Sequence, residues 1–103
     1  MRLCLELQKL RGVEGVIGNQ VLRSGTSIGA NVEEAQAAQS RPDFVSKMTI
    51  AQKECRETAY WLRLLTAAEI MPAKRLDPLC EEAEAITKII SKIIISTKER
   101  TAR

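Results

Sequence analysis

The amino-acid sequence predicts an all-α protein, an antiparallel up-down four-helix bundle, and three observations carry that prediction. Two segments space their apolar residues alternately by four and three: Phe44, Met48, Ala51, Cys55, Thr58, Leu62 and Leu65 in one, Leu79, Ala83, Ile86, Ile90 and Ile93 in the other. Heptad seams of this kind suit helices packed near +20° to one another. Aromatic residues make up only 3% of the chain, against 45% hydrophobic residues in all. A core must then be built from Leu, Ile, Val and Ala, which favours close-packed helices over a sheet sandwich. Finally, no alternating run bounded by turn residues occurs, so strands are not expected.

The elements follow from the punctuation, within one domain spanning residues 1–103. A first helix is predicted over about residues 2–11, with Leu3, Leu7 and Leu10 at helical spacing and Gly12 and Gly15 closing it. A second, over about 16–39, carries Ile17, Val21, Ile28, Val32 and Ala35 on one side. It stops at Ser40-Arg41-Pro42-Asp43, where Ser40 is a good cap, Asp43 its reciprocal partner and Pro42 lies harmlessly in the first turn. The third spans about 41–70 and ends before Pro72. The fourth, about 77–98, starts at Asp77-Pro78, with Glu81, Glu82 and Glu84 at the positive end of its dipole and Lys98, Arg100 and Arg103 near the negative end.

Composition removes several chemistries. The chain has no histidine, and so lacks the commonest general base and zinc ligand, any imidazole triad and the E-x-x-H motif of di-iron bundles. Cys4, Cys55 and Cys80 are widely spaced and odd in number, which fits reduced packing thiols in a cytoplasmic protein. No signal peptide is visible. The most apolar run, Ile86 to Ser96, is interrupted by Lys88 and Lys92 and falls short of the ~20 residues a membrane span needs. No metal and no cofactor are expected. A net charge of +3 permits an anionic partner without demanding one.

Two features ask for explanation. Gly25 and Gly29 fall inside the second helix and share a face, although each glycine costs up to ~1 kcal/mol against alanine. They are expected to allow a close helix crossing, with the Ser24, Thr26 and Ser27 hydroxyls back-bonding to loosened carbonyls. The alternative is that Arg23, Ser24, Thr26 and Ser27 form a polar surface for an anion. The third helix also carries Ile50, Trp61 and Leu64 on a stripe offset from its seam, and Ile95 points away from the main side of the fourth. These four residues are the expected oligomer interface, unless the bundle wraps them internally or another protein docks there.

The run from Asn19 to Leu65, NQVLRSGTSIGANVEEAQAAQSRPDFVSKMTIAQKECRETAYWLRLL, closely resembles the bacterial four-helix bundle proteins named after intervening sequences in 23S ribosomal RNA. It is more distantly similar to the accessory variability determinant of diversity-generating retroelements. The resemblance implies a bundle protomer assembling into a homopentameric ring, without known catalytic activity. The retroelement relatives bind nucleic acid and a reverse transcriptase through a basic surface. Relatives usually have a longer first helix, whereas here eleven residues precede Gly12.

The leading functional expectation is therefore a non-enzymatic oligomeric scaffold that binds RNA or DNA, or a reverse-transcriptase-type partner, through Arg23, Lys53, Arg56 and Arg63. Repetition around a ring would multiply a few such cations into a salt-sensitive polyanion site. Against this, Glu54 and Glu57 are interspersed with the cations and no stacking aromatic platform is expected beside them. A rival reading takes Glu54 and Glu57 with Glu81 and Glu84 as two E-x-x-E pairs that could hold Mg²⁺ on phosphates, as in all-α nucleotide pyrophosphohydrolases, although those enzymes normally end the second pair with aspartate. A third takes the chain as a purely structural protein-docking module.

Overall fold

The computed structural model describes residues 12–102, with side chains described through residue 100. They form three helices: α1 (Val13–Gln36), α2 (Arg41–Ala67) and α3 (Ala73–Ala102). The helix predicted over residues 2–11 lies outside the described residues. Among those described there is no strand, and no helix long and apolar enough to cross a membrane.

Helix α2 is the central element. Both α1 and α3 pack along it, while α1 and α3 do not approach one another at backbone distance. Each helical hairpin is antiparallel: in the first, Arg23 of α1 reaches Glu57 and Lys47 of α2 reaches Glu34, and in the second Gln52 donates to Ser91. Thirty residues of α3 at about 1.5 Å each account for most of the 50 Å long axis.

The start of α2 is where its cap chemistry places it. Ser40 Oγ accepts from the Asp43 amide at 3.2 Å, and Pro42 sits in the first turn. Its end comes three residues earlier than predicted. Glu69 adopts φ 59°, its amide bonds the Thr66 carbonyl, and the Ile70 amide bonds Leu65. This is a Schellman stop with glutamate in the left-handed position that glycine usually takes. Ile70 then packs on the core.

Two boundaries differ more. Helix α1 begins at Val13 after Gly12, whose φ of 77° suits glycine, so Gly15 lies inside the helix and is buried rather than closing an earlier segment. Helix α3 begins directly after Pro72, whose carbonyl accepts from Arg75 and Leu76. Pro78 is thus interior rather than initiating. Its missing N–H deprives the carbonyl of Lys74, an exposed residue that water can reach.

All seven residues of the predicted α2 seam are buried or half-buried. The α3 seam is rotated from the predicted one: Leu76, Ala83, Ile90, Ile94 and Thr97 face inward, while Leu79 and Ile93 are 37% exposed. The core divides into two clusters. One joins Ile17, Val21, Leu62, Leu65 and Leu76; the other joins Ala35, Met48, Ala51, Cys55, Ile90 and Ile94. Between them lies a polar contact. Fully buried Ser24 donates to the Gln20 carbonyl (2.8 Å) and accepts from the Thr58 hydroxyl (2.8 Å).

Candidate nucleic-acid interface

The two flanks of α2 are electrostatically different because its charges sort by helical angle. At about 100° per residue, Glu54 and Glu57 fall toward α1, whereas Arg63, Arg56, Tyr60 and Lys53 fall together on the outward side next to α3. Neighbours in sequence thus end on different surfaces.

On the α1 flank the carboxylates are occupied. Arg23 donates to Glu57 and, at 3.4 Å, to Glu54, with its Nε donating to Gln20 at 2.9 Å. Trp61 Nε1 also donates to Glu57, at 3.1 Å. The Arg23 hydrogen bond, followed by that of Trp61, holds the Glu57 carboxyl below the usual range, and the Glu57 bond in turn raises the Arg23 guanidinium. Lys47 and Glu34 add an outer pair at 3.1 Å. Arg23, expected on a nucleic-acid surface, is therefore a cross-helix tie. Its partners lie 31 and 34 residues away.

The α3 flank is the opposite. Lys53, Arg56 and Arg63 are exposed and make no ion pair with any described residue. Across from them α3 supplies Lys88, likewise exposed and unpaired. Arg56, Arg63 and Lys88 line a cleft of about 250 Å³ floored by Ala59 and Thr87 and edged by one carboxylate, Glu84. Toward the α2–α3 turn the groove widens and changes sign, as Arg63 meets Asp77, Glu81 and Glu84. The basic end is thus the Arg56–Lys88 end.

The E-x-x-E pairs do not converge. Glu54 and Glu57 face α1 and hold Arg23, while Glu81 and Glu84 line the groove on the other flank. Among the described residues no three His, Cys, Asp or Glu side chains are grouped to hold a metal. Among the described residues the two thiols are not activated either. Burial pushes both Cys55 and Cys80 up, with Thr87 opposing at Cys55 and Arg63 opposing at Cys80.

The remaining predicted positions fall as follows. Gly25 and Gly29 are exposed, and among the described residues no neighbour lies within 4 Å of a Cβ built on either, so α2 and α3 make no close crossing at them. The close contact lies at Ser24, on the other face. Two of the hydroxyls do back-bond, Ser24 to Gln20 and Thr26 to Leu22 (2.8 Å). Trp61 and Leu64 are half-buried against the first core cluster. Of the predicted interface, only Ile50 (39% exposed) and Ile95 (56%) stand free on the protomer surface. Two residues were missed. Lys88 was visible in the sequence only as an interruption of an apolar run, because its place in the cleft depends on the α2–α3 register. Tyr60 is 51% exposed and sits four residues after Arg56 and three before Arg63, a spacing that was legible.

The described residues form a three-helix framework with an ion-paired flank and a basic cleft, which defines an all-helical protein. The chain belongs to the family of 23S rRNA-intervening sequence proteins, whose model matches residues 4–92. It is similar to a protein of unknown function from the S23 ribosomal protein family of Bacteroides thetaiotaomicron: the crystal structure has a TM-score of 0.79 and 42% identity, over 90% of this chain and 82% of that one. No curated protein matches the chain.

Proposed function

We propose that the protein is a non-enzymatic helical scaffold that binds nucleic acid, RNA or DNA, along the α2–α3 cleft. The observation that carries this reading is the set of cations Lys53, Arg56, Arg63 and Lys88, all exposed and none ion-paired among the described residues. Unpaired guanidinium and ammonium groups at a groove are what phosphate neutralisation uses, with Arg offering two parallel donors per phosphate. The proposal includes assembly into a homopentameric ring, taken from the family resemblance, and a reverse-transcriptase-type partner, taken from the likeness to the retroelement accessory determinant. Exposed Ile89 (58%) and Ile95 (56%) support self-association through α3.

The test is a salt titration of binding to a labelled RNA strand, combined with the absolute mass from light scattering. Binding that weakens linearly in log salt, by a protein of about five protomers, supports the proposal. Absence of salt-dependent binding overturns the nucleic-acid part, and a monomeric mass overturns the ring.

A further inference from the structure

The exposed tyrosine at the centre of the basic stripe stands outside both core clusters of the described residues. Tyr60 is 51% exposed and lies one turn from Arg56 and from Arg63 on the same face. Its orientation is nevertheless set. Its ring meets Trp61 edge-on, with centroids 5.0 Å apart and planes at 67°. Trp61 is itself anchored, by the core cluster on one side and by its bond to Glu57 on the other. A propped, half-exposed aromatic between two unpaired guanidinium groups is a platform for a flat π-system carrying negative charge next to it.

Resting on the nucleic-acid reading above, we infer that the ligand is single-stranded, with a base stacked on Tyr60 and its flanking phosphates on Arg56 and Arg63. A duplex presents phosphates but keeps its base faces covered; a single strand presents both. Base stacking on an exposed aromatic is tolerant of sequence, so strand state, rather than a base sequence, is what this surface discriminates.

The experiment measures fluorescence anisotropy of labelled oligonucleotides at fixed low salt: a polythymidine strand, a duplex with the same number of phosphates, and a strand of the same length without bases. The proteins are the full chain, Tyr60→Phe and Tyr60→Ala, and the exposure of residue 60 lets both variants fold, which circular dichroism checks. The full chain is expected to favour the polythymidine strand over both controls. Tyr60→Ala is expected to weaken that binding about tenfold while changing duplex binding less than about twofold, and Tyr60→Phe to keep the wild-type preference. Equal loss on strand and duplex in Tyr60→Ala, or no loss at all, overturns the inference while leaving the basic cleft intact. No binding of any oligonucleotide by the full chain overturns the cleft reading itself.

Discussion

The two flanks of α2 use the same residue types for different ends. Toward α1, Glu54 and Glu57 face Arg23 and the charges cancel across the helix pair. Toward α3, Arg56, Arg63 and Lys88 meet a single carboxylate at the basic end of the cleft and remain available. An exposed ion pair contributes little to stability, because solvent screens it and long side chains must be ordered. The Arg23 tie gains from being doubled and from sharing Glu57 with Trp61. An unpaired cation cluster contributes nothing to folding and is slightly repulsive. The proposed ligand would supply the counter-charge that the fold does not.

This contrast can be broken at several points. The largest expected effect on stability is at the polar contact of the α1 flank: Ser24→Leu places extra volume where Ser24 is fully buried and removes the cross-helix bond from Thr58, whose hydroxyl keeps only the Glu54 carbonyl, for a loss of about 2–3 kcal/mol in urea unfolding. The mirror substitution on the other flank, Arg56→Gln, is expected to leave stability within about 0.5 kcal/mol. Equal losses from the two would mean that the flanks do not differ in kind.

Acid titration sharpens the same point. Glu57 has its carboxyl lowered in the fold by Arg23 and then Trp61, so its contribution is present above the ordinary carboxylate pKa and is lost as the pH falls through the lower folded value. Glu57→Gln should be less stable than the parent at neutral pH, and the gap should close in acid. A gap independent of pH would show that the tie is not electrostatic.

Smaller effects are expected at the exposed backbone positions. With open space at their Cβ positions, Gly25→Ala and Gly29→Ala should each add about 0.5–1 kcal/mol by helix propensity. Destabilisation instead would mean that a surface outside the described residues packs against this face. Glu69→Gly should add about 1 kcal/mol, since φ 59° strains any residue with a Cβ.

Much of the fold was legible because local rules coincide with it. The Ser40 cap and the Phe44–Leu65 seam each follow from spacing alone. Helix α3 was harder. Its isoleucines lie on two overlapping stripes, so the sequence could not say whether Leu79 and Ile93 or Leu76 and Ile94 face the core; packing on α2 decides it. At the site, the seven-residue interval between Arg56 and Arg63 was readable. The capture of Arg23 by carboxylates more than thirty residues away was not, and neither was the arrival of Lys88 across the cleft. Both depend on which helix lies on which side of α2.

The most direct test of the difference between the flanks compares Arg23→Gln with Arg56→Gln, measuring thermal stability and the slope of log affinity for an RNA strand against log salt. Arg56→Gln is expected to keep the parental melting temperature and flatten the slope by about 0.7, one phosphate contact on a single strand. Arg23→Gln is expected to lower the melting temperature and leave the slope unchanged. The reverse pattern, with Arg23 controlling the salt slope and Arg56 the stability, would contradict the account.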